Sequence, residues 1–253
     1  MKLNFKKSGQ GDVLIILHGL FGSADNWFSI ARELEKYFTL YLVDQRNHGD
    51  SPHSDEWNYE LMANDIKELM DNEGISKAHL MGHSMGGKTV MKFATLFPDM
   101  IDQLIVADIA PRYYPVHHGR ILEGLNAIPL DTIQSRKEAD DVLASYIKIP
   151  GIRQFLLKSL GRDDAGKFIW KINLPVITEQ IEIVGEAITS DKPIETQTLF
   201  MGGANSDYIL DSDKEEIAAL FPNSSIIFIK DAGHWLHAEQ PKAVIETVKA
   251  FLG

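Results

Sequence analysis

The sequence predicts an α/β fold: a mostly parallel, doubly wound sheet with a helical segment inserted in the second half of the chain. Two observations carry this. Short apolar, β-branched runs alternate with longer amphipathic stretches as far as Ala107, and the alternation lapses between about 112 and 188 before resuming. Strands separated by helices need crossover connections, and those give parallel pairing.

Val13-Leu14-Ile15-Ile16-Leu17 is a run without a polar position, as a strand covered on both faces requires. Asn26 to Tyr37 follows, with Trp27, Ile30, Ala31 and Leu34 at helical spacing. Leu40 to Val43 is the next strand, and Asp44 to Trp57 a polar loop. Tyr59 to Glu73 reads as a helix that Asn58 caps and Gly74 stops. Lys77 to Met81 is a strand, Met85 to Phe97 a helix ended by Pro98, and Gln103 to Ala107 another strand.

From Arg112 to Ile188 no buried strand is evident. Helical patterns at Ala139 to Ile147, Ile152 to Leu160 and Val176 to Ala187 are punctuated by Pro150, Gly161 and Pro175. Either this segment continues the core or it forms a helical cap; helices inserted over strand ends commonly form lids, so the cap is expected. The division is then 1–111 with 189–253 as the core, and 112–188 as the cap. Thr198 to Met201, Asp213 to Leu220, Ser225 to Ile229 and Lys242 to Leu252 restore the strand–helix rhythm.

Composition removes several function classes. The 253 residues carry 25 Lys plus Arg against 36 Asp plus Glu, a formal charge of −11. Such a surface repels phosphate backbones, so no nucleic-acid partner is expected. Cysteine is absent, which excludes disulfides, thiolate nucleophiles and Cys-ligated metals. Val13 to Leu17, the longest apolar run, is far short of the roughly 20 residues that cross a bilayer. The charged N-terminus has no apolar stretch behind it. A cytoplasmic protein with no membrane partner is the expectation. Gly202-Gly203 lacks the rest of a dinucleotide-binding fingerprint, and His234, His237 and Glu239 meet no second cluster of metal ligands, so no cofactor or metal is expected.

Gly82-His83-Ser84-Met85-Gly86 fits G-x-S-x-G between a predicted strand and a predicted helix, the context that this nucleophile turn requires. A turn so sharp strains the serine backbone and lifts its hydroxyl off the sheet. Gly82 and Gly86 leave room for backbone to pass, and the Met85 N–H at the helix start can donate to an oxyanion. The loop after the first buried strand, His18-Gly19-Leu20-Phe21-Gly22, supplies a second donor in such enzymes; Leu20 is the candidate, with Phe21 next. His18 reads as a structural hydrogen-bonding residue. Asp231-Ala232-Gly233-His234-Trp235 follows the last strand, which hangs His234 over the sheet edge as a candidate base.

The base needs an acid to hold its tautomer. Two are in reach. Asp207 lies after the strand Thr198 to Met201, one residue later than the usual offset from Gly203, where Ser206 stands. Asp108 follows Leu104-Ile105-Val106-Ala107 on the same rim.

These motifs resemble the α/β-hydrolase superfamily, and specifically its small, cap-bearing serine hydrolases. His18 to Ser23, Arg46-Asn47-His48-Gly49, His83-Ser84-Met85-Gly86-Gly87-Lys88, Asp108-Ile109-Ala110-Pro111 and Gly233-His234 are most similar to the bacterial YbfF-type esterases, and they span nearly the whole chain outside the cap. Family members often carry D-x-R-G-x-G-x-S in the second of these; Asn47 replaces a glycine here, and asparagine tolerates the left-handed conformation.

The resemblance implies hydrolysis of carboxylic esters, extending to acyl-CoA thioesters, through an acyl-enzyme on Ser84. In the similar esterases the aspartate corresponding to Asp108 looks like the acid, so the resemblance favours Asp108, with Ser206 as an added hydrogen-bond donor. Phe21, His83 and Trp235 are candidate substrate contacts, and some of Phe155, Leu156, Ile169 and Trp170 line an acyl pocket. His117, His118 and Arg120 read as a solvated polar face, Lys88 and Arg46 as salt-bridge partners. Carbon–carbon bond hydrolysis or lyase chemistry on the same fold is the alternative reaction. Dehalogenase and epoxide hydrolase chemistry needs a carboxylate at position 84, and a pocket without catalysis would lack one of the three residues.

Overall fold

Apolar side chains on both sides of every central strand dictate a sheet covered on both faces. The computed structural model describes residues 1–253. The strands of the main sheet are β1 (Phe5–Ser8), β2 (Asp12–Leu17), β3 (Phe38–Val43), β4 (Ala78–His83), β5 (Ile101–Ala107), β8 (Thr198–Gly203) and β9 (Ser224–Ile229). Their spatial order is β1-β3-β2-β4-β5-β8-β9, all parallel except β1, which pairs antiparallel with β3. Ile15, Leu17, Tyr41, Val43, Leu80, Val106 and Phe200 enter one core; their sequence neighbours Leu14, Ile16, Leu40, Leu42, Met81, Ile105 and Leu199 enter the other. This period of two sorts every strand between two hydrophobic layers.

The helices are α1 (Phe28–Leu34), α2 (Tyr59–Glu73), α3 (Met85–Leu96), α4 (Gly119–Asn126), α5 (Arg136–Leu143), α6 (Pro150–Leu157), α7 (Leu174–Glu179), α8 (Lys214–Leu220), α9 (Leu236–Glu239) and α10 (Pro241–Leu252). Asn58 Oδ1 accepts from the Leu61 N–H at 2.8 Å and Gly74 takes φ 68°, so α2 starts and stops on the residues expected.

Between β5 and β8 the chain leaves the sheet and carries α4 to α7. This segment is not purely helical. Leu160, the expected end of a helix, opens β6 (Leu160–Arg162), which pairs antiparallel with β7 (Phe168–Trp170). Helix α4 and the edge strand β1 also lie where no regular element is expected from the sequence, and Val176 to Ala187 is broken: α7 ends at Glu179 and a 3-10 turn spans Ile181–Gly185.

Strand order sets the location of the site. From the centre, successive strands are added on one side from β2 to β3 and on the other from β4 through β5 and β8 to β9, so β2 and β4 flank the point where the order reverses. Loops leaving the carboxyl ends of such a strand pair diverge and open a crevice. The loops following Leu17 and His83 are those two.

Candidate active site

Ser84 sits between β4 and α3 at φ 53°, ψ −117°, a region that L-residues other than glycine rarely occupy. The turn is forced by close packing. A Cβ on Gly82 would lie 2.1 Å from the Gly86 carbonyl oxygen, and one on Gly86 would lie 2.6 Å from that of His18. The Ser84 hydroxyl has no hydrogen-bond partner in the protein; it shares a cavity wall with His234 but is not bonded to it. Hydrogen bonds of this kind often tighten only with substrate in place.

His234 follows β9 on a loop pinned at two points. Glu239 Oε2 accepts from the Gly233 N–H at 2.8 Å, and the His83 ring bonds the His234 carbonyl through Nε2 at 2.7 Å. The Nδ1 of His234 lies 2.7 Å from Asp108 Oδ2. Asp108 is fully buried, and at φ 49° its backbone is left-handed. Its Oδ1 accepts from the Gly203 N–H at 2.8 Å, and its Oδ2 also accepts from Ser206 Oγ. Three donors thus converge on one buried carboxylate. Register explains the reach: Ala107 pairs with Met201, so Asp108 leaves β5 level with Gly202 and its carboxylate meets the Gly203 N–H on β8.

The loop after β2 faces the elbow. The N–H groups of Leu20 and Met85 have no acceptor in the protein, and Met85 opens α3, where the first N–H groups cannot bond within the helix. Phe21 is different: its N–H approaches His48 Nε2 at 3.3 Å and its carbonyl accepts from Ser159 Oγ at 2.8 Å, which leaves Leu20 as the free donor. His18 is engaged on both ring nitrogens. Nε2 accepts from the Gln45 N–H at 3.0 Å and Nδ1 lies 2.8 Å from the Gly19 oxygen. Asn47 holds φ 65°, and its Oδ1 accepts from Ser54 at 2.8 Å and from Asn173 Nδ2 at 3.1 Å.

A cavity of about 340 Å³ joins these groups, lined also by Phe21, His83 and Trp235. Ile121, Ile152, Phe155, Leu156 and Val184, all from the segment between β5 and β8, roof it. No Asp, Glu, Lys or Arg lines it. Its histidines His83, His118 and His237 are kept neutral: burial, helped by neighbouring imidazoles, holds His83 well below the usual range, His118 at about 4 and His237 at about 3.

A family model for the alpha/beta hydrolase fold matches residues 12–145, more than half of the chain. This chain belongs to the α/β-hydrolase family. Esterase YbfF of Escherichia coli (strain K12) is 38% identical over 261 residues, covering 100% of this chain and 99% of that protein. The sn-1-specific diacylglycerol lipase ABHD11 of Mus musculus is 38% identical over 247 residues, covering 94% of this chain and 80% of that protein. A solved structure of a marine microorganism esterase superposes with a TM-score of 0.97 at 44% identity, covering 99% of each chain. This α/β-hydrolase is of the esterase/lipase type, similar to the YbfF esterases as its motifs indicate.

Several expectations change in this α/β-hydrolase. Asp207 is exposed and makes no hydrogen bond to His234, because Ser206 occupies the position that faces inward. His118 is no part of a solvated face: it lines the cavity and is too buried to carry charge there. Lys88 pairs with no carboxylate; its buried ammonium donates to the carbonyls of Pro111, Arg112 and Glu186 at 2.9, 2.5 and 2.8 Å. Arg46 does form its ion pair, with Asp65 at 2.6 Å. Phe155 and Leu156 line the cavity, whereas Ile169 and Trp170 do not. Tyr114 and Tyr208 went unnoticed in the sequence, since neither belongs to a motif and their meeting depends on the fold.

Proposed function

We propose that this α/β-hydrolase is a serine carboxylesterase for uncharged esters with apolar acyl groups. Ser84 is the nucleophile, His234 the base and Asp108 the acid, and the segment 112–188 is a cap over them. The single observation carrying this reading is the 2.7 Å bond from His234 Nδ1 to Asp108 at the wall of the apolar cavity that Ser84 also lines. Donation from Nδ1–H to the buried carboxylate leaves Nε2 free to take the Ser84 proton.

Ser84 Oγ then bonds to the ester carbonyl carbon. The oxygen that becomes negative takes hydrogen bonds from the Leu20 and Met85 N–H groups. The imidazolium returns the proton to the departing alkoxide, and an alcohol leaves. Water next gives a proton to His234 and attacks the acyl carbon, and collapse releases the carboxylic acid and restores Ser84. The cavity supports an uncharged substrate, because an ionic one would lose its hydration without gaining a counter-ion. An acyl-CoA thioester fits only with its phosphates held outside.

Ser84→Ala should reduce kcat on p-nitrophenyl esters by roughly a million-fold with an unchanged thermal midpoint. A fluorophosphonate probe should add its mass to Ser84 in the wild type alone. Retained turnover in Ser84→Ala overturns the reading. In a panel of nitrophenyl esters, acyl-CoAs and a vinylogous diketone at equal concentration, the neutral esters should turn over fastest; a preference for the diketone replaces ester hydrolysis with carbon–carbon cleavage.

A further inference from the structure

The loop after β8 gives the site no acid, but it gives it a ring. Tyr208 lies face to face with the His234 imidazole, ring centroids 3.9 Å apart and planes 19° from parallel. Aromatic pairs more often sit at 4.5–7 Å, offset or edge-on. The closeness is built in from several directions. The Tyr208 N–H donates to Ser206 Oγ at 3.3 Å, and Ser206 itself donates to Asp108, so the loop that holds the acid also places the ring. Tyr114 stacks against Tyr208 at 5.5 Å and 24°, and its hydroxyl donates to the Tyr208 carbonyl. That same hydroxyl accepts from the Ala110 N–H at 2.8 Å, which anchors the stack to the chain just beyond Asp108.

We propose that Tyr208 is a positioning residue for His234: its ring fixes the imidazole plane and its π face stabilises the imidazolium formed during acyl transfer. This rests on His234 being the base. The other aromatic ring at the imidazole, Trp235, meets it edge-on at 6.0 Å and 62°, so Tyr208 is the ring stacked flat against it. Asp108 lies at the edge of the ring, on Nδ1. His83, with its centroid 4.7 Å away, and the nearby His118 and His237 are kept neutral by burial and offer the imidazolium no negative charge. The Tyr208 phenol is pushed above its usual range by burial and then by Asp108, so it stays uncharged. A cation held over an aromatic face in a partly desolvated site gains the equivalent of about 5- to 30-fold in an equilibrium.

The test is Tyr208→Leu, with Tyr208→Met as a second apolar replacement should the first fail to fold, and Tyr208→Phe as the rescue that keeps the ring. On p-nitrophenyl acetate the Leu or Met variant should lose about 5- to 30-fold in kcat while KM holds. The acid limb of the kcat/KM profile should move down by about 0.7 to 1.5 pH units, the logarithm of the same factor. Tyr208→Phe should restore both. An unmoved acid limb in the Leu and Met variants, or an equal loss in Tyr208→Phe, overturns the proposal. Neither result touches the assignment of Ser84, which stands or falls with Ser84→Ala and the probe.

Discussion

At the scale of single residues, Asp108 is the position at which the sequence left two answers and the structure shows one contact. Spacing after β8 pointed to Asp207, because it assumes that the acid follows the strand beyond the cap. The site instead depends on which strands are neighbours: β5 and β8 pair directly, so either could carry a carboxylate to the loop after β9. Asp108 has three donors on its carboxylate, whereas Asp207 faces solvent. Asp108→Asn should therefore cost about 10⁴-fold in kcat, since an amide in that place favours the wrong imidazole tautomer. Asp207→Asn should leave kcat within about twofold of wild type, as expected for an exposed surface change. Comparable losses in the two variants would show that the 2.7 Å contact does not carry the chemistry. Ser84 and His234 were legible earlier because each stands in a local motif whose strand, turn and helix can be read without knowing the neighbours.

At the scale of elements, the sheet was legible and the insertion was less so, for a physical reason. Parallel strands covered on both faces must be apolar where they are covered, as at Leu14 to Leu17 in β2 and Leu104 to Ala107 in β5, and that leaves a signature. The strands missed lack it: β1 has the sequence Phe5-Lys6-Lys7-Ser8 on a sheet edge, and β6 and β7 are three residues each, paired with one another alone. Helix α5 begins earlier than its apolar spacing suggested, because Ser135 Oγ accepts from the Glu138 N–H at 3.2 Å and sets the first turn. The insertion is joined to the sheet by two strands of chain that bond each other, Ile188 N–H to the Pro111 oxygen and Tyr114 N–H to the Gly185 oxygen, both at 2.8 Å. Lys88, one turn beyond Ser84 on α3, donates to carbonyls on both of them. Burial pulls its pKa down to about 7, yet three acceptors occupy its N–H groups. Lys88→Met should leave the Arg112 and Glu186 carbonyls without a donor, Pro111 keeping the Ile188 N–H, and destabilise the fold by about 2 to 6 kcal/mol, given about 1 to 3 for each buried group left unpaired. Urea unfolding measures the loss. Limited proteolysis should also cut the variant within 112–188 sooner than the wild type; cleavage elsewhere first would place the role of Lys88 in the core instead.

At the scale of the whole molecule, the protein stores several neutral, buried imidazoles, four of them at the cavity wall (His18, His83, His118 and His237), and this sets its response to acid. His48 and His237 are held at about 3 and His118 at about 4, in each case by burial first; His83 and His18 are lowered from the same cause. In the unfolded chain each returns to about 6.5. Between that value and the native one the unfolded state binds protons that the native state does not, so stability rises with pH across this window and falls as pH drops from about 6.5 toward 4. Each such histidine contributes a slope of up to about 1.4 kcal/mol per pH unit. The formal charge of −11 acts the other way, because acid relieves carboxylate repulsion, but most carboxylates titrate only near 4. Above about pH 5 the histidines therefore win, and the thermal midpoint should fall steeply on acidification while the esterase is still largely anionic. His237 is the site to test, since its Nδ1 has no partner and its ring stacks on Trp27 at 4.6 Å. His237→Gln should lower the slope of stability against pH between about 6 and 5 by up to one proton's worth, about 1.4 kcal/mol per pH unit. A slope identical to wild type, measured by urea unfolding at each pH, would locate the acid sensitivity in other groups.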